Sequence, residues 1–217
     1  MSNEKFAMHA NIIKDSKSQF GQDIFVLLQL DFKKNGFFVD FGATNGLDLS
    51  NTFVLEKFLG WSGILAEPAK IWHHNLRLNR NSHIEEKCVW SNTGEILKFN
   101  ESNIQELSTI LDFSNVDMYK NVREKGKVYE VETISLIDLL VKYNAPAEID
   151  YLSIDTEGSE YDILKNFDFK KYTFKVITCE HNFTPQREKI YNLLTENGYT
   201  RVFENLSEVD DWYILRQ

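Results

Sequence analysis

The chain has 217 residues, a formal net charge of −9, and hydrophobic and charged fractions of 42% and 26%. Those values fit one soluble domain with a sizeable core. The negative balance argues against a nucleic-acid backbone or an anionic membrane as the main partner, with residues 120–127 the one candidate for a local basic patch.

Residues 1–17 are polar and lack the apolar core of a signal peptide, and no apolar run approaches the length of a membrane span. Ser18-Gln19-Phe20-Gly21-Gln22-Asp23 leads into a helix expected over 24–32. Phe37, Phe38 and Val39 read as a short buried parallel strand, followed by Asp40 and a turn holding Gly42, Ala43 and Gly46. A helix fits 49–59, with Gly60 as its stop. A second apolar run over 63–66 ends in Glu67-Pro68.

The next segments are predicted as a helix over 69–80, a third strand over 83–90 and a turn over 91–94. Residues 95–133 are harder to read. Two strand-like pieces flank a polar region with a helical stretch near 115–125, which suggests a partly mobile loop or a short hairpin insertion. The pattern then becomes regular: helix 135–143, strand 149–154, helix 158–167, strand 174–179, helix 185–197, and an antiparallel pair over 199–203 and 212–215. Alternating strands and helices with a closing hairpin predict an α/β fold, a doubly wound and mostly parallel sheet. Cys88 and Cys179 both fall in apparent buried strands, so a reducing, cytoplasmic setting is expected.

Ligands of such sheets bind at the carboxyl ends of the strands. The polar residues expected there are Asp40, Glu67, Ser91, Asp155 and Glu180-His181. In nucleotide sites of this kind the glycine turn lies under the ligand and the acid after the second strand holds ribose hydroxyls. A tight turn between core elements is the other reading of the loop. The second cluster runs Asp155-Thr156-Glu157-Gly158-Ser159-Glu160, with Glu180, His181 and Asn182 one strand later. Oxygen ligands with one imidazole suit magnesium or manganese, and Glu157 or His181 is a candidate general base. The alternative makes 156–158 a capping turn, with Glu160 favouring the helix start. There is no phosphate-binding P-loop and no nucleophile elbow.

Taken in order, SQFGQD, VDFGATNG, SNTFVLEK, GWSGILAEP, CVWSNTG and DYLSIDTEGSEYDILKNF resemble the FkbM-type S-adenosylmethionine (SAM)-dependent methyltransferases over most of the chain. The resemblance implies a class I methyltransferase fold with a seven-stranded sheet whose last strand is antiparallel. It implies an N-terminal helical segment, 1–35, closing over the cofactor, and a methyltransferase domain, 36–217, in one domain overall. The implied SAM contacts are Gln19, Asp23, Asp40, Gly42, Ala43, Asn45, Gly46, Ser50, Glu67, Pro68, Ser91 and Asp155. Among these, Glu67 would take the ribose and Ser91 would lie beside the adenine.

The ends of two strands are also similar to those of metal-dependent macrolide-sugar O-methyltransferases, which suggests Asp155, Glu180 and His181 as ligands of Mg2+ or Mn2+. The expected activity is O-methylation of a sugar or glycan, with Asp155, Glu157 and His181 as catalytic residues. The rival readings are an NAD-dependent oxidoreductase, which the glycine pattern fits poorly, and a non-catalytic SAM-binding domain of a glycan-assembly protein.

Overall fold

The structure is a computed structural model and describes residues 3–216. Its main sheet has seven strands in the order β10-β11-β9-β8-β1-β2-β3. These are β1 (Phe37–Phe41), β2 (Ser62–Ala66), β3 (His83–Glu85), β8 (Glu148–Ile154), β9 (Thr173–Glu180), β10 (Tyr199–Val202) and β11 (Asp210–Leu215). Neighbouring strands pair in parallel except at β11, which runs antiparallel to both β9 and β10. This is the α/β sheet expected from the sequence, with its antiparallel closing hairpin.

Alternation along each strand explains the three layers. Val39, Ile64, Leu152, Ile177 and Tyr213 belong to one core, while Phe38, Leu65, Tyr151, Val176 and Trp212 belong to another. Successive strand side chains point to opposite faces, so each doublet supplies both cores at once. The first core is closed by the helices Leu136–Lys142, Glu160–Leu164 and Gln186–Glu196. The second is closed by α1 (Asn3–Lys14), α2 (Gln22–Gln29), α3 (Phe53–Leu59) and α4 (His73–Asn79). Among the described residues no helix is long and apolar enough to cross a membrane. Cys88 and Cys179 are free and buried.

The strand over 83–90 and two helix starts differ from expectation, while the hairpin reading of 95–133 holds and gains a third strand. The strand predicted over 83–90 is broken by the polar run Glu85-Glu86-Lys87, where Glu85 Oε1 accepts the Lys87 N–H at 3.2 Å. Its second half, β4 (Cys88–Trp90), leaves the main sheet and pairs in parallel with β7 (Lys127–Ser135). Residues 95–133 form a hairpin of β5 (Ile96–Glu101) against β7, extended by β6 (Thr109–Ile110), so a second sheet runs β4-β7-β5-β6. It has a small core of its own around Phe99, Ile110 and Val131. The helices predicted over 49–59 and 69–80 begin later, at Phe53 and His73. Ser50, Asn51 and Thr52 commit their side chains to tertiary hydrogen bonds rather than to a first helical turn.

Candidate active site

A cavity of about 300 Å³ opens above the carboxyl ends of β1, β2, β8 and β9. Its floor is the turn after β1. The Gly42 and Ala43 N–H groups donate to the Ala66 carbonyl at 3.0 and 3.3 Å, binding the turn to the end of β2. Gly42 has φ +77°, and a Cβ there would collide with the carbonyl oxygen of Asp155 on the neighbouring strand end. A glycine is required on both counts. Gly42→Ala is therefore expected to lower the melting temperature by at least 5 °C, about 1–2 kcal/mol in a domain of this size, as read by thermal denaturation.

Two buried acids stand on the cofactor-like side. The Glu67 carboxylate accepts the Thr44 N–H at 2.8 Å and the Ala69 N–H at 2.7 Å. Burial pushes its pKa up to about 7 against the pull of those two donors. Asp40 lies within β1 rather than after it, and its Oδ2 accepts the Thr52 hydroxyl at 2.6 Å. Its pKa is raised by burial, partly offset by Thr52 and Arg80. Arg80 is itself buried, donates to Ser50 Oγ and Thr52 Oγ1 at 3.2 and 3.1 Å, and pairs with Glu56.

The other side is an acid trio. Asp155, Glu157 and Glu180 each offer a carboxylate oxygen, and these atoms lie within 4.8 Å of one another. Burial, with Asp210 next, raises Asp155 to about 8. Burial, with Asp155 next, raises Glu157 and Glu180 well above the usual carboxylate range. Glu180 is 7% exposed, and its Oε2 has no hydrogen-bond partner among the described residues. Glu157 sits at φ +59°, unusual for a residue with a side chain. Its Oε2 accepts Arg123 Nη2 at 2.7 Å and Asn182 Nδ2 at 3.1 Å. Glu160 caps the turn beneath, accepting the Thr156 and Gly158 N–H groups at 3.1 and 3.0 Å.

Of the residues singled out in the sequence, Gln19, Asp40, Gly42, Ala43, Ser50, Glu67, Pro68, Asp155, Glu157 and Glu180 line this cavity. Five do not. Asp23 is fully buried and ties down the chain before α2, accepting the Ser16 and Ser18 hydroxyls and the Ile24 N–H. Asn45 closes its own turn, its Oδ1 accepting the Leu47 and Asp48 N–H groups at 2.9 Å. Gly46 faces α4, where a Cβ would stand 2.6 Å from Arg80 Cγ. Ser91 follows β4 and went with it into the second sheet, beside Ser135 and Leu136, so Cys88 and Val89 line the cavity instead.

His181 is buried and turned away. Its Nδ1 accepts the Phe183 N–H at 3.0 Å, and its Nε2 lies 3.8 Å from Asp211 Oδ1. Burial lowers its pKa to about 4. The Nδ1 lone pair is used, so His181 is neither a free base nor a ligand here, and Glu157 takes its place in the acid cluster. Sequence reasoning missed Asn51, Arg80 and Arg123. Asn51 lines the cavity, donates to Ser153 Oγ at 3.0 Å and leaves its Oδ1 unpartnered. A polar residue between Ser50 and Thr52 carried no signal for that contact.

The family model of the methyltransferase FkbM domain matches residues 40–201, and the chain belongs to that family. No match was found among curated proteins. An O-methyltransferase from Bacillus cereus, solved in complex with SAH, is similar at 14% identity and a TM-score of 0.49, covering 98% of this chain and 89% of that one. The precorrin-6y C5,15-methyltransferase from Geobacter metallireducens is similar at 13% identity and a TM-score of 0.47, covering 88% and 85%. Likeness of that degree carries no argument about the reaction; the family and the cavity do.

Proposed function

We propose that the protein is a SAM-dependent O-methyltransferase acting on a hydroxyl of a sugar or glycan. The carrying observation is that one cavity brings the Gly42 turn and Glu67 to the trio of Asp155, Glu157 and Glu180. Glu67 is the group for the ribose diol of SAM, and the small residues Gly42 and Ala43 let the donor approach the backbone. The methyl group arrives already activated as a sulfonium. The protein has to align the acceptor oxygen behind it and take the proton. The new O–C bond forms as the C–S bond breaks, and S-adenosylhomocysteine (SAH) leaves.

Asp155 receives the hydroxyl proton in this reading, as the carboxylate of the trio that stands in the cavity at the end of β8, beside the Gly42 turn. Glu157 and Glu180 hold the acceptor's neighbouring hydroxyls. The trio also suits a hard divalent cation, since its donors are all oxygen and the buried Glu180 Oε2 lacks a partner. Magnesium or manganese bound there would lower the pKa of the acceptor hydroxyl. One oxygen from each acid suffices for the cation, which leaves the second oxygen of Asp155 for the proton. With a net charge of −9, a nucleic acid is a poor alternative acceptor. Two free buried cysteines suit a reducing cytoplasm.

The reading is tested by incubating the protein with methyl-labelled SAM, magnesium or manganese, and a panel of mono- and oligosaccharides. Label is expected in an O-methyl sugar. Absence of label from every sugar of the panel would overturn the sugar assignment.

A further inference from the structure

The inserted segment after β5 builds one wall of the cavity, from Ile104 to Ser108 with Ile110 and Tyr119. Tyr119 is the aromatic residue of that wall. Its hydroxyl feels Glu157, Glu180 and Asp117, and among the described residues it has no hydrogen-bond partner. Tyr119 is only half-buried and lines the cavity, so it offers the cavity an aromatic side chain that is not spent on core packing.

The backbone at Tyr119 is tied to a buried charge network. Asp117 accepts the Tyr119 N–H at 2.8 Å and takes both of its Arg123 contacts at 2.8 Å. Arg123, 1% exposed, also donates to the Leu107 carbonyl at 2.7 Å and to Glu157 Oε2 at 2.7 Å. Its guanidinium stands 5.9 Å from the Tyr119 ring centroid. One buried cation therefore touches both the Tyr119 ring and a member of the acid trio. A second tie, from Thr109 Oγ1 to the Glu157 carbonyl at 2.9 Å, fastens the same wall to the same loop.

We propose that Tyr119 is the platform on which the acceptor sugar stacks. The apolar C–H face of a pyranose packs on an aromatic ring, while its hydroxyl edge turns to carboxylates; Tyr119 and the trio offer both at one place. The acceptor class that fits is a pyranoside bearing vicinal hydroxyls. This rests on the sugar O-methyltransferase reading above.

The test needs no knowledge of the natural acceptor. Saturation-transfer NMR is run with methyl glycosides of glucose, galactose, mannose and rhamnose on SAH-saturated protein, for wild type, Tyr119→Phe and Tyr119→Leu. SAH affinity is measured alongside by calorimetry. Wild type and Tyr119→Phe are expected to bind a glycoside within about 3-fold of each other, and Tyr119→Leu about 10-fold or more weakly, with SAH affinity unchanged in all three. Should Tyr119→Leu fail to melt cooperatively, Tyr119→Met carries the same comparison. Equal glycoside binding by Tyr119→Leu overturns the platform and leaves the sugar reading standing. A parallel fall in SAH affinity overturns it too, by moving Tyr119 to the cofactor side. Absence of glycoside binding in the wild type itself removes the sugar reading and the platform with it.

Discussion

Replacing Glu67 by alanine is expected to weaken SAM and SAH binding by about 10- to 100-fold, the range for losing hydrogen bonds to a buried charged group. Two backbone donors, from Thr44 and Ala69, already hold this carboxylate in place, so its remaining lone pairs face the cavity at no cost in ordering. The pH dependence supplies a second signature. Burial lifts the pKa of Glu67 to about 7, so without ligand the group is largely protonated below that value. The carboxylate is the form that accepts from a diol, and cofactor affinity should fall as the pH drops through about 7. Calorimetry across that range checks both points. In Glu67→Ala the component of the pH dependence centred near 7 should vanish. Wild-type affinity in the variant would remove Glu67 from the cofactor site.

The second large effect is expected at Asp155. Asp155→Asn keeps the size of the side chain and the backbone carbonyl packed on Gly42, but removes the proton acceptor. Turnover should fall by about 10²–10⁴-fold, the usual contribution of a positioned general base. SAM affinity should stay within about 3-fold. Methyl transfer to the sugar found in the panel, followed in parallel with calorimetry, separates the two quantities. A variant that turns over normally would mean that the proton leaves by another route, and a joint loss of binding and turnover would make Asp155 a cofactor residue alone.

The fold was legible because it is written in short-range pattern. Doublets such as Phe38-Val39, Ile64-Leu65 and Tyr151-Leu152 announce strands buried on both faces, and they do supply the two cores. Glycines and acids punctuate the strand ends, and the rule that ligands sit there brought Asp40, Glu67, Asp155 and Glu180 to one cavity. What failed depended on contacts that sequence distance hides. Ser91 was misplaced because three polar residues, Glu85 to Lys87, break one apparent strand into two that serve different sheets. His181 follows an acid that faces the cavity, yet its own ring turns to Asp211 on the neighbouring strand β11.

Arg123 and Asn51 were invisible for the same reason. Their partners, Glu157 and Ser153, are 34 and 102 residues away. The inserted segment was hard to read beyond its two flanking strands because the stability of its middle comes from one buried arginine and a small core rather than from periodicity.

The most direct test of the account is calorimetric titration of the purified protein with SAH, in magnesium, in manganese and in EDTA. Micromolar-range binding of SAH is expected, with a further effect of metal once a sugar acceptor is present. Absence of SAH binding under every one of these conditions would contradict the account, because the Gly42 turn and Glu67 would then have no methyl donor to hold.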